Sequence, residues 1–338
     1  GSSALFSNTT GYYNSAMGSS ALYSNTTGFS NSAMGYSALY SNTTGFENSA
    51  MGYFALDSNN TGSFNSAMGS YALHSNTTGY YNSAMGSYAL ISNTTGYTNS
   101  AMGSYALYYN TTGYENSAMG YSALYYNSTG SNNSAIGYSA LKSNTTGNYN
   151  IGIGYEAGKN ITTGSRNIMI GINVNAPSAT GDNQLNIGNV IYGDLSSGNI
   201  GIGTPTPNRK LKVNGDAGGT TPWYNDSDAR LKTNIQTISN ALEKVEKMRG
   251  VSFTWIDTEN HPKGQHIGFI AQELKEVLPE VVDKKGEYYS VQESSITAVL
   301  VEAIKEQQKQ IEKQQKQIER QQKQIEDLKA QIKTLKHQ

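Results

Sequence analysis

Ser227 and Lys232 are the side chains in this sequence best placed for covalent chemistry, five residues apart in the run Asp226-Ser-Asp-Ala-Arg-Leu-Lys232. A serine hydroxyl that attacks the carbonyl just before it closes a five-membered ring and turns an amide into an ester. A lysine amine can take the proton only when neutral, and lysine titrates near 10.4 in water. Burial must lower that value for such a pair to work near neutrality. The same residues also describe a Ser-Asp turn or helix cap beside a surface lysine, and by type alone they favour that second reading.

Other chemistry is sparse. From Gly1 to Ile136 there is no Lys or Arg, and the acids are Glu47, Asp57 and Glu115. Ordinary glycoside hydrolysis needs paired carboxylates, so no activity on external substrates is expected of this half. His74, His261, His266 and His337 lack ligand spacing, no Gly-Gly-x-Gly-x-Asp calcium repeat occurs, and Cys is absent. No metal, cofactor or disulfide is therefore expected. A net charge of −1 gives no case for nucleic acid or an anionic membrane. No run approaches transmembrane length, so this segment is not expected to insert in a membrane. The chain begins inside a repeat, as expected of the C-terminal piece of a longer protein.

The elements that must position these residues are of two kinds. The hydrophobic fraction is 36%, against roughly 45–50% for globular chains, which suits a thin core repeated many times. Gly recurs every 17 residues from Gly1 to Gly188, in the unit G-[SY]-[SY]-A-L-x-S-N-T-T-G-x-x-N-S-A-M, eleven copies of which end at Ile187. Two short apolar pieces per unit, S-A-L and N-S-A-M-G, separated by turn-forming Asn and Gly, predict two strands per coil of a β-roll or solenoid. Stacking at roughly 4.8 Å gives a shaft on the order of 50 Å long. Two ladders are expected to fill it: Met17 to Met119 continued by Ile136, Ile153, Ile170 and Ile187, and Leu5 to Leu141. Aromatic rows, such as Tyr12, Phe29 and Phe46, suit either a glycan or protein receptor on a cell surface or simple stabilisation of the shaft and of an inter-chain seam. The second is favoured.

The N-S-A-[MI]-G and S-A-L motifs over residues 1–187 resemble the head repeats of trimeric autotransporter adhesins and repeats of some phage tail fibres. That resemblance implies β-rolls packed as trimers. Residues 188–221 read as a neck and linker: N-I-G-I-G-T-P-T-P-N-R-K-L-K-V resembles a segment that precedes the terminal domain of many fibres. Pro205 and Pro207 are expected to end the ladder, K-L-K-V-N to resume a strand, and Gly215–Thr221 to be flexible.

Residues 222–295 read as a small α+β module. Ala241, Leu242, Val245 and Met248 keep helical spacing behind an Asn240/Glu243 capping box. Val251, Phe253 and Trp255 alternate as a strand, and Ile267–Ile270 and Tyr288–Val291 suggest two more, with a helix stopped at Pro279 between them. The long last helix is expected near Ser294, and residues 296–338 read as a coiled coil. Ile304, Ile311, Ile318, Ile325 and Ile332 occupy position a; Gln307, Gln314, Gln321, Leu328 and Leu335 occupy d. The D-S-D-A-R-L-K segment, with G-F-I-A-Q-E-L, L-P-E-V-V, Y-Y-S-V and L-V-E-A-I-K-E, closely resembles the intramolecular chaperone of endosialidase-type tailspikes and fibres, the S74 peptidase family. The resemblance implies a homotrimer assembled by this module, which then cuts itself away between Asp226 and Ser227, with Ser227 as nucleophile and Lys232 as base. The expectation is a mainly β, trimeric, extracellular fibre: the distal part of a phage tail fibre, or alternatively a bacterial surface adhesin with a non-cleaving module.

Overall fold

The computed structural model describes residues 1–215, 226–257, 261, 263–284 and 287–335. The chain divides into two compact units, Gly1–Asn214 and Gly215–Gln338.

The first unit is a solenoid. Strands β1 (Ser15–Met17) to β10 (Ile168–Ile170) have three residues each and recur every 17. Each pairs in parallel with the next in identical register, as Ser15 with Ser32, Ala16 with Ala33 and Met17 with Met34. Only N-S-A-M forms a strand; the S-A-L piece is a turn, correcting the expectation of two strands per coil. The reason is local. Leu22 and Leu39 sit at φ 50° and 53°, a left-handed conformation that costs an L-residue roughly 1–2 kcal/mol. Two gains offset it. Leu22 is fully buried, worth roughly 1.5–3 kcal/mol, and its N–H donates to the Ala38 carbonyl of the following coil at 3.0 Å.

The interior differs from the expected pair of large apolar ladders. The leucine ladder is inside, from Leu22 to Leu141, but the methionine ladder is not: Met34, Met51, Met85 and Met102 are about 44–45% exposed. In each Ser-Ala-Met strand alanine points inward, as at Ala33 and Ala50, while serine and methionine face out. The coil is too slender for methionine opposite leucine, and asparagine takes the remaining space. Asn25, Asn42, Asn59 and Asn76 form one buried column, and Asn31, Asn48, Asn65 and Asn82 another. In the first, each amide nitrogen donates to the amide oxygen of the preceding coil, as from Asn42 to Asn25 at 2.7 Å, and to the glycine carbonyl of its own turn. In the second, Asn82 donates through Nδ2 to Asn65 Oδ1 at 3.2 Å and to the Gly96 carbonyl at 2.8 Å. The first column is thus core, beyond the turn role that its N-T-T-G setting suggests, and the second, at the head of each N-S-A-M piece, is core as well. Among the described residues no buried side-chain nitrogen or oxygen lacks a partner.

Glycine at the head of each coil is fixed by close approach. A Cβ on Gly35, whose φ is +142°, would stand 2.2 Å from the Gly52 carbonyl oxygen.

The repeat closes through β11 (Gln184–Ile187), β12 (Ile191–Asp194), β13 (Asn199–Ile202) and β14 (Leu211–Val213). β11 continues the parallel ladder, β11–β12 and β12–β13 pair antiparallel, and β13–β14 pair in parallel. Pro205 and Pro207 lie in the connection between β13 and β14. The parallel ladder gives way to antiparallel pairing before them, at β11–β12, and K-L-K-V-N resumes a strand as expected, β14, which joins the same sheet. Of the stretch read as flexible, residues 216–221 lie outside the described residues.

The second unit is small α+β. It holds α1 (Ala241–Lys247), β15 (Gly250–Phe253), β16 (His266–Phe269), α2 (Ala271–Val277), β17 (Val282–Lys284), β18 (Tyr289–Val291) and α3 (Glu293–Leu335). β15 pairs antiparallel with β16, and β17 with β18; β17, in the V-V-D segment, has no counterpart in the strand pattern read from sequence. Ala241, Leu274, Leu278, Val281, Ile296, Val299 and Ala303 form its core. The Asn240 capping box is absent: Asn240 is left-handed, with φ 54°, and makes no side-chain cap. The carboxylate of Glu306, on α3, accepts instead from the N–H groups of Ala241 and Leu242, at 3.1 and 2.9 Å. Further along α3, Ile304, Ile311, Ile318, Ile325 and Ile332 are all exposed in the single chain.

Two outcomes follow from these contacts. Asn82→Ala removes both of its amide bonds and leaves Asn99, which donates to Asn82 Oδ1, without its acceptor; at about 1–3 kcal/mol for each buried polar group left unpaired, the shaft should melt several degrees lower. Exposed Thr95→Ala should leave the melting curve unchanged, and equal curves for both variants would remove the ladder from the core. The bonds from Leu242 and Ala241 hold the Glu306 carboxyl below its ordinary pKa of 4.5. Its contribution is therefore complete above pH 4.5 and lost as pH falls through the lower folded value. Glu306→Gln should flatten the acid limb of the module's stability curve, measured by circular dichroism.

Candidate active site

The segment before α1 is a single tight turn. Asp228 accepts from the Arg230 N–H at 2.8 Å and so caps a 3₁₀ turn, Ala229–Leu231. The Lys232 N–H closes that turn onto the Ala229 carbonyl at 3.1 Å. The Arg230 guanidinium folds back on the same carboxylate at 2.7 Å, holding the Asp228 carboxyl below its usual range. Ser227 and Lys232 flank this turn, and across it Lys232 Nζ lies 2.7 Å from Ser227 Oγ. The family resemblance, and not residue type, singles out the pair; the structure places the two groups in hydrogen-bonding contact. The Asp228 cap is the turn or helix cap that the sequence also describes, an aspartate two residues ahead of a helical N–H being an ordinary capping arrangement. What the sequence pattern did not reveal is the Arg230 guanidinium that clasps its carboxylate.

Both side chains are exposed, as are Leu231 and Ile235 beside them. The burial that a lysine base needs is not supplied here by the residues around it. Asp226, on the other side of the expected cut, is also exposed.

Residues 227–283 match the family model Peptidase_S74, described as the chaperone of endosialidase. The match begins at Ser227 and includes Lys232. This stretch is a chaperone-of-endosialidase domain. Relatives match only part of the chain. The long tail fiber protein Gp37 of Enterobacteria phage K3 is 43% identical over 91 residues, 24% of this chain and 7% of that protein. Gp37 of Enterobacteria phage M1 is 31% identical over 96 residues, 26% of this chain and 38% of that protein. An uncharacterized membrane protein of Dictyostelium discoideum is 34% identical over 111 residues, 29% of this chain and 6% of that protein. The chain thus spans well under half the length of these relatives. Among the described residues of the chaperone domain and shaft, no helix is long and apolar enough to cross a membrane and no group of three or more His, Asp or Glu could hold a metal.

Outside the chaperone domain, the acids of the shaft are dispersed. Glu47 and Glu115 share a column but stand four coils apart, about 19 Å at the usual strand spacing. Asp57 faces His74 of the next coil, with Oδ2 and Nε2 3.8 Å apart; burial raises its carboxyl, against the lowering effects of His74 and Ser58. The aromatic rows are self-contained. Tyr80, Tyr97 and Tyr114 stack at 5.0 and 4.9 Å with planes within 3°, and Tyr12, Phe29 and Phe46 stack likewise. Ring faces are spent on the neighbouring coils, so the columns present edges and hydroxyls outward. Burial, and then the adjacent tyrosines, push the Tyr97 and Tyr125 hydroxyls above 10.0. Folding therefore favours the neutral phenol: this stability is whole below pH 10 and declines as pH rises through the folded values. The shaft should lose thermal stability above pH 10 in step with tyrosinate absorbance; a flat profile to pH 12 would contradict the stacking.

Proposed function

We propose that this chain is the distal part of a trimeric phage tail fibre, in which the chaperone domain brings three copies together and then separates from the shaft by self-cleavage between Asp226 and Ser227. The observation that carries the reading is the 2.7 Å contact of Lys232 Nζ with Ser227 Oγ at the first residue of the family match. The fibre role is supported by the Gp37 relatives and by the solenoid, and self-association by the isoleucine stripe on α3, which a lone chain leaves in water. Virion attachment and an extracellular setting accompany that role. Aromatic edges and hydroxyls of the shaft are the candidate contacts for a cell-surface glycan or protein.

In the proposed cleavage, neutral Lys232 takes the Ser227 hydroxyl proton as Oγ attacks the Asp226 carbonyl carbon. The C–N bond then breaks, the proton passes to the departing nitrogen, and an ester joins Asp226 to Ser227 Oγ. Water hydrolyses it, leaving a carboxylate on Asp226 and a free amine on Ser227. Packing of other chains against exposed Leu231 and Ile235 would supply the dehydration that lets Lys232 act as a base, which couples the cut to assembly.

Intact mass of the purified chain tests this. The parent should yield a fragment beginning at Ser227, whereas Ser227→Ala and Lys232→Met should stay whole while keeping the parent's oligomeric state. A parent that remains uncut under conditions where it is fully assembled would reduce the module to a passive trimerisation cap, as in the adhesin alternative.

A further inference from the structure

The shaft exposes many apolar side chains, but they fall into two classes when coils are compared. The aromatic columns are interrupted: Phe46 is followed by Ser63, and Tyr53 by Ser70. The column that ends each strand is not. It holds methionine in seven successive coils from Met17 to Met119 and isoleucine in the next four, at Ile136, Ile153, Ile170 and Ile187. It faces outward throughout the methionine stretch, with Met68 and Met119 each 46% exposed. Its companion on the same outward face is serine from Ser15 to Ser134, a side chain small enough to let another backbone come close.

The interior does not demand this column. Alanine fills the inward position of the same strand, and where a methionine does occupy that position, at Met169, it is fully buried. The exposed threonine column, Thr10 to Thr163, is equally constant but polar, and needs no partner to cover it; the exposed aromatic columns vary from coil to coil. A column held apolar coil after coil is matched to something that repeats at the same spacing, about 4.8 Å. Another solenoid of the same pitch has that property. The seven methionines, each 44–64% exposed, form a continuous apolar strip of the kind that the core of a stable interface covers. No Lys or Arg occurs before Lys142 to oppose close approach of identical chains. The heptads of α3 independently commit the chain to self-association.

We propose that the methionine ladder is the face along which shafts of this chain pack lengthwise against one another, leaving the tyrosine columns outside. This deepens the trimeric reading above and rests on it; a closed three-fold assembly makes the shafts parallel and in register. The seam is then the apolar, flexible methionine surface, and the variable columns remain free for contact with a receptor.

Three measurements on the full chain test it. Sedimentation gives the oligomeric state. Dilute peroxide followed by peptide mass spectrometry reads oxidation at each methionine, which tracks exposure; Met34 to Met119 should oxidise about tenfold more slowly than in the unfolded chain. Because the chain has no cysteine, Met85→Cys and Thr95→Cys each carry a single thiol, and a short bismaleimide should link chains through residue 85 and not through residue 95. An oligomer whose methionines oxidise as fast as in the unfolded chain, or that links through residue 95 alone, overturns the seam while the assembly stands. A monomer overturns both.

Discussion

The distance between successive coils governs this molecule. Each coil lies directly on the next, and the glycine rows show how little slack there is: a single Cβ would drive into the carbonyl above. At that spacing every side chain meets its own counterpart one coil away. Like must therefore tolerate like. Leucine on leucine, amide on amide and ring on ring satisfy the condition; a column of like charges would not. The near absence of charge before Lys142 follows from this condition, and the one close acid–base contact among the early coils, Asp57 with His74, joins unlike groups in adjacent coils.

The same condition explains why asparagine fills the centre. A carboxamide carries a donor and an acceptor, so a column of amides bonds to itself without a second residue type. Each amide also ties down a glycine carbonyl in the turn. The interior is thus partly polar yet fully paired, which is the condition under which buried polar groups are tolerated. With the amides specifying register, the apolar residues need not. This frees the strand's larger apolar side chain to face outward, where a single chain has no use for it.

Much of the architecture is legible in residue spacing alone. The period, the leucine column, the change of grammar near the chaperone domain and the heptads all follow from it, whereas the Ser227–Lys232 pair is singled out by family resemblance. The inward or outward sense of Ser-Ala-Met does not. Alternation places alanine on one face and methionine on the other, and hydrophobicity alone chooses the larger residue for the inside. The cross-section of the coil decides the opposite way. Asn240 and Glu243 mislead for a related reason: the spacing is that of a local cap, but Glu306, more than sixty residues away, reaches the same N–H groups. Local patterns cannot reveal a partner brought in by packing. The turn at Leu22 and its equivalents is hidden because a left-handed leucine is unfavourable by itself and persists only when coils above and below hold it.

That left-handed leucine bears on how the solenoid comes into being. An isolated 17-residue unit has no neighbour to accept its N–H or bury its side chain, so it has little reason to adopt the bend. A unit adjoining a finished coil finds the acceptors, the amide partners and the apolar floor already in place. Growth by addition to an existing end is therefore far easier than starting anew, in the manner of a crystal that must first be seeded. Units of identical shape can then be gained or lost by the gene without redesigning any contact, and solenoid length becomes a quantity that changes in whole coils.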